Sequence, residues 1–213
     1  MKKERIWLAV VWILYTVGVF GMATPWSALF QSLTPIVLLL TAVGIYQWLP
    51  GRPFWILFGP IWAMGWLVEW VGVHTGLIFG HYHYLNNLGL QVLQVPLLIG
   101  VNWFILTMGS VAWARTMGWT KPVRIIVAAL SMTALDFWIE QVATSLGYWA
   151  WVEHPLPGVH NYIGWFITAL VTTWWAESFW KSNEKIRPLR TVYFIQWMFF
   201  LALNLMYATG VMA

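Results

Sequence analysis

Seven stretches of mostly apolar residues, at about 6–23, 27–49, 54–73, 92–114, 122–146, 161–180 and 191–212, dominate this chain. A helix needs about 20 such residues to cross the hydrocarbon of a bilayer. Inside lipid every backbone polar group must be satisfied within the protein, and a helix does this along its own length. Pro25, the group Pro50, Gly51 and Pro53, and Lys121-Pro122 punctuate the joins, as helix breakers should. The expectation is an all-α, polytopic integral membrane bundle of seven transmembrane helices, forming one domain over residues 1–213 and multi-pass in the cell membrane. Only 8% of the 213 residues are charged, against about 25% in soluble domains. The first run follows MKKER like the apolar part of a signal peptide. It is longer than such a segment, and FGMATPW is a poor cleavage site, so a retained helix is expected.

The basic residues test the count of seven independently. Lys2, Lys3, Arg5, Arg52, Arg115, Lys121, Arg124, Lys181, Lys185, Arg187 and Arg190 fall at the N-terminus and in the joins 2–3, 4–5 and 6–7. With seven spans all of these lie on one side, and the opposite joins have none. The positive-inside rule then puts the N-terminus in the cytoplasm and the C-terminus outside. Six or eight spans would scatter the pattern. The net charge of +4 therefore reports topology and contacts with membrane lipids, and no nucleic-acid partner is expected. The absence of cysteine removes disulfides, thiolate metal sites and cysteine nucleophiles.

Polar chemistry gathers at the other end. His74, His81, His83, His154 and His160 all lie in or beside the joins 3–4 and 5–6. At 1.5 Å per residue, Asp136 is ~21 Å and Glu140 ~27 Å along the fifth span, and Glu69 ~22 Å along the third. These three carboxyls belong to the outer half of the membrane, beneath the histidine joins. Ionisable residues at such depth are expensive and mark function by default. Asp136 and Glu140, one turn apart, share a helix face. Burial and mutual repulsion predict that the pair titrates as a unit, one member holding a proton at neutral pH, which suits a general acid beside a base.

Plainer readings compete. Asp136 and Glu140 would also serve as interhelical hydrogen-bond partners, and Glu69 with His74 is either a proton relay or a simple interhelical bond. His81 and His83 in GHYHY alternate, so both would ligate a metal only on an extended backbone; a loop at headgroup level is the expectation. Glu153, His154 and His160 need no explanation in a wet loop. Glu177 lies four residues before Lys181 and is expected to pair with it. Most tryptophans belong to lipid belt and core, though Trp138, Trp149, Trp151 or Trp165 would stabilise a cation through their ring faces if they lined a pocket. No internal repeat is evident. The last run has no lysine for a retinal Schiff base, the histidine clusters of membrane di-iron oxygenases are missing, and no GxSxG, HExxH or P-loop pattern occurs.

The run EWVGVHTGLIFGHYHYLNNLGLQVLQVPLLIGVNWF, Glu69–Phe104, resembles the membrane carotenoid biosynthesis protein family, of the carotenoid 1,2-hydratase type that includes γ-carotene 1'-hydratase and bisanhydrobacterioruberin hydratase. The matching elements are Glu69, Gly72, Gly76, FGHYHY, Pro96 and Trp103. A second block follows, with Asp136, Glu140, Gly147, Tyr148, Trp149 and then NYIGWF from Asn161 to Phe166. Gln141 stands where many relatives place a proline. The resemblance implies an enzyme, a carbon–oxygen lyase that adds water to the terminal 1,2 double bond of an acyclic carotenoid without a cofactor or metal. For that chemistry Asp136, the deeper and drier of the pair, is the expected acid, with Glu140 as base or second proton holder and Glu69 as the alternative acid. His74, His81, Tyr82, His83, Tyr148, Trp149, Asn161 and Trp165 would bind substrate and water. The implied partners are a lipophilic carotenoid and other enzymes of its pathway. The alternatives are a membrane lycopene cyclase-like enzyme, which quenches the same cation internally, and a proton-coupled transporter using the three carboxyls.

Overall fold

The computed structural model describes residues 2–152, 156–181 and 186–211. Glu153, His154 and Lys185 lie outside them. The apolar runs fold as helices α1 (Lys2–Met22), α2 (Ser27–Ser32), α3 (Thr34–Trp48), α4 (Arg52–Thr75), α5 (Leu97–Arg115), α6 (Lys121–Ala143), α7 (Val159–Phe179) and α8 (Ile186–Ala208). Six segments, counting Ser27–Trp48 as one, are long and apolar enough to cross a membrane. The α7 helix is as long but less apolar, because it carries Asn161, Thr168, Thr172, Thr173 and Glu177, all of them buried. The hub is α5: 78% of its apolar window is buried inside the protein, against 22–33% for the others.

Two prolines shape the helices, and their effects differ. Pro35 has no N–H to offer Gln31, and its ring crowds that carbonyl; the second run breaks at Leu33 into α2 and α3. Pro60 lies inside α4 without ending it. The carbonyl it leaves without a helical partner, that of Ile56, accepts the indole N–H of Trp175 from α7 at 2.9 Å. A neighbouring helix thus supplies the bond that proline withholds.

The fourth run was expected to start its helix near residue 92, but α5 starts at Leu97. Residues before it form a tight hairpin of β2 (Gln91–Val92) and β3 (Val95–Pro96), whose turn residues Leu93 and Gln94 both have positive φ. Such turns normally announce themselves with Asn or Gly, and this one does not. The larger departure lies in the joins 3–4 and 5–6. Instead of loops, β1 (Tyr82–Tyr84) and β4 (Trp149–Trp151) pair antiparallel, with Tyr82 opposite Trp151 and Tyr84 opposite Trp149. Alternation puts residues i and i+2 on one face of a strand. Tyr82 and Tyr84 accordingly turn inward, while His81 and His83 turn out and are exposed. The ribbon covers one end of the bundle.

At the other end Glu177 receives both Arg115 and Arg124, with Nε–Oε1 distances of 3.1 and 2.9 Å. Lys181 is not its partner, contrary to expectation. The arginines arrive from the α5–α6 junction, and their planar forks each meet both carboxylate oxygens. Two apolar clusters fill the space between the ends, one around Phe104, Ile105 and Met108, the other around Trp103, Met132 and Leu135.

Candidate active site

Three helix-borne carboxyls meet beneath the ribbon. Glu69 on α4 and Glu140 on α6 are each 3% exposed, and Asp136 is fully buried. They lie close enough to feel one another's charge.

Glu69 is the most fully bonded. Its Oε2 accepts the Tyr82 hydroxyl at 2.5 Å and the Tyr84 hydroxyl at 2.8 Å, and its Oε1 accepts the Trp103 indole N–H at 3.1 Å. Burial, and after it the Glu69 charge, pushes both phenols well above the ordinary tyrosine range. They therefore keep their protons and act as donors. Two glycines let this cradle close. A Cβ on Gly72 would come within 2.7 Å of the Phe79 ring, and one on Gly164 within 2.5 Å of the Ile78 carbonyl oxygen.

Glu140 follows the same plan. Its Oε2 accepts the indole N–H groups of Trp149 at 3.1 Å and Trp151 at 2.9 Å. In both cases an acid near a helix end is capped by two aromatic donors, at alternate positions of the strand that follows. The spacings are 13 and 15 residues for Glu69, and 9 and 11 for Glu140. The antiparallel pairing of β1 with β4 sets the two units face to face. This is a structural repeat that the sequence hides, because one copy uses tyrosine and the other tryptophan, at different spacings.

Asp136 differs. Its Oδ2 accepts the Asn161 amide at 3.0 Å, while Oδ1 has no hydrogen-bond partner among the described residues. It stands one turn from Glu140, but a different set of residues walls the space between the acids. That space is a cavity of about 30 Å³, bounded by Glu69, Glu140, Asn102, Asn161 and the aromatic rings of Phe79, Tyr82, Tyr84, Trp149, Trp151 and Trp165. It is large enough for one water molecule. Trp165, on the cavity wall, is stacked on Trp103 with ring centroids 4.3 Å apart, which holds its ring in place.

Of the residues expected at the site, Glu69, Glu140, Tyr82, Trp149, Asn161 and Trp165 are brought together here, with Asp136 behind Asn161. Tyr148 lies outside the cavity wall; its hydroxyl pairs with that of Thr34 at 2.7 Å. His74 is exposed and bonds back to the Trp70 carbonyl, so it forms no relay with Glu69. His81 and His83 sit on the outer face of the ribbon for the reason of strand alternation given above. Among the described residues no group of three His, Asp or Glu side chains is disposed to hold a metal. Tyr84, Trp103, Asn102 and Trp151 complete the site. The first and last were legible in the Y-x-Y and W-x-W spacing, had the joins been read as strands.

A family model described as carotenoid biosynthesis protein matches residues 9–213. The chain belongs to that family. The match extends well beyond the two blocks that carried the resemblance and takes in α1, α3 and α8. No curated protein and no solved structure matches. Together with the apolar helices, membership makes this a membrane protein with a role in carotenoid biosynthesis. The three buried acids and their aromatic donors are thus the candidate active site of a carotenoid biosynthesis protein.

Proposed function

We propose that the protein is a carotenoid hydratase, adding water across the terminal 1,2 double bond of an acyclic end group. The observation that carries this reading is the cavity itself: two carboxyls, Glu69 and Glu140, share a wall of aromatic faces around room for one water. Protonating an alkene leaves a tertiary cation, which aromatic faces and carboxylates stabilise in a dry site. Glu140 and Asp136, one turn apart, share a proton, and Glu140, which borders the cavity, hands it to C2. The positive charge then rests on C1. Water attacks C1 and passes its proton to Glu69, whose oxygens already accept three hydrogen bonds. Return of that proton to the Asp136–Glu140 pair completes the cycle. One water is consumed and no electrons are exchanged, so the chemistry calls for neither a cofactor nor a metal.

This assignment moves the proton donor from Asp136 to Glu140 and makes Asp136 a proton holder. The reading includes α7 as a seventh span, the N-terminus in the cytoplasm and the acids in the outer half of the cell membrane. The clustering of Arg115, Arg124 and the other basic residues opposite the ribbon supports it. Pathway enzymes that make the acyclic polyene are the expected partners.

A host that accumulates acyclic carotenoids supplies the test. Expression of this chain should yield a pigment heavier by one water, with its oxygen drawn from labelled water. Label arriving from O2 overturns the proposal, and so does a product of unchanged mass carrying a ring, which is the cyclase outcome.

A further inference from the structure

Beside the acid cavity, between α1, the α2–α3 break, α5 and α8, runs an apolar cleft of about 160 Å³. Its wall extends from Leu14 to Met22 on α1, a distance of ~12 Å along the helix. Val17 and Leu33 line it and are also 50% and 37% exposed, so it reaches the surface that lipid covers. Leu33 is the residue at which Pro35 interrupts the second run, and this break forms one lip of the opening. The hydroxyls of Thr34 and Tyr148, both on its wall, bond to each other. At the inner end Ile99, Asn102, Ile139 and Trp149 belong to both the cleft and the acid cavity. The two spaces therefore share one wall.

We propose that this cleft is the polyene channel: an acyclic carotenoid enters end-first from the lipid between Val17 and Leu33, and its terminal double bond passes between Ile99, Asn102, Ile139 and Trp149 to reach Glu140. This rests on the hydratase reading for the chemistry at the inner end, but the binding it describes is separable from that chemistry. The occupant is an apolar chain because, among the described residues, no charged side chain lines the cleft. It is a polyene because, on the hydratase reading, only a chain with a double bond at its end gives Glu140, across the shared wall, something to protonate, whereas a phospholipid tail ends in an inert methyl group; a cleft of this volume holds only the last part of such a chain. The remainder lies in the bilayer.

The test uses the full chain, produced in a host rich in acyclic carotenoids and purified in mild detergent. Pigment retained per protein is read by visible absorption and mass. Val37→Trp fills the cleft from α3, and Leu33→Trp narrows its mouth without crowding the core. Ile126→Trp, on the exposed face of α6, is the control. Overpacking on this scale predicts a loss of about tenfold in retained pigment for the two cleft variants and none for the control. Wild-type retention in Leu33→Trp overturns the proposal even if Val37→Trp fails to fold, as does purified wild-type protein that carries phospholipid and no pigment. Pigment bound without any gain of water refutes the hydratase reading alone. Undiminished hydration by both cleft variants refutes the channel alone.

Discussion

Replacing Glu140 by glutamine separates what the side chain does chemically from what it does structurally. Glutamine keeps a carbonyl oxygen where Glu140 Oε2 accepts Trp149 and Trp151. While the shared proton rests on Asp136, each of these bonds changes from charge-assisted, worth about 1.5–3 kcal/mol, to neutral, worth about 0.5–1.5 kcal/mol; while Glu140 holds it, both are neutral already. The combined loss is at most about 2 kcal/mol, partly offset because a buried ionisable group is removed. Leucine at the same position leaves both indole N–H groups, on half-buried tryptophans, without a partner, at up to about 1–3 kcal/mol each. Glu140→Gln should therefore melt within a few degrees of wild type in detergent, whereas Glu140→Leu should melt well below it. Catalysis is the opposite case, since an amide has no proton to give: hydrated product should fall by about 10²- to 10⁴-fold, the usual contribution of a positioned general acid. The assay is product mass per protein in the acyclic-carotenoid host, with pigment retention as the check on substrate binding. A glutamine variant that keeps activity within tenfold of wild type would remove Glu140 as proton donor.

Two further variants probe groups away from the acids. Trp175→Phe strands the Ile56 carbonyl that Pro60 leaves free, and should lower stability by about 1–3 kcal/mol without altering the product. In a Pro60→Ala background, where the backbone supplies the missing N–H, that penalty should shrink, and a thermal double-mutant cycle measures the difference. Asn102→Leu, at the partition between cleft and cavity, removes a polar group on the water's side. It should retain pigment but shift product from alcohol toward unreacted or ring-closed carotenoid, as product analysis will show; an unchanged alcohol fraction excludes Asn102 from handling water.

What the sequence made legible follows from which signals are local. Apolar runs and prolines report directly on helices, so every predicted run reappears as helix, the second broken at Leu33, and six of them are long and apolar enough to cross a membrane. The α5 start was misplaced because Leu93 and Gln94 adopt a hairpin turn without its usual residues. The three acids were visible because a charge at membrane depth has few innocent explanations. Tyr82, Trp149 and Asn161 were named among their neighbours, but which acid each bonds was not legible, and the ribbon that sets Tyr82 opposite Trp151, 69 positions away, depends on two joins meeting in space. The histidines drew attention in GHYHY because imidazole is the more familiar functional group, yet alternation gives the inward face to the tyrosines. Glu177 was assigned to Lys181 by helical spacing, a rule blind to arginines arriving from another junction.

The repeated plan of acid, helix end and aromatic strand bears on how such a chain enters the bilayer during synthesis. Glu69 meets two of its donors within 15 residues of following chain, and Glu140 both of its own within 11. Neither acid must wait for a distant helix before its charge is sheltered. Each half can enter the bilayer with its carboxyl already hydrogen-bonded by its own strand, before the pairing of β1 with β4 joins the two halves.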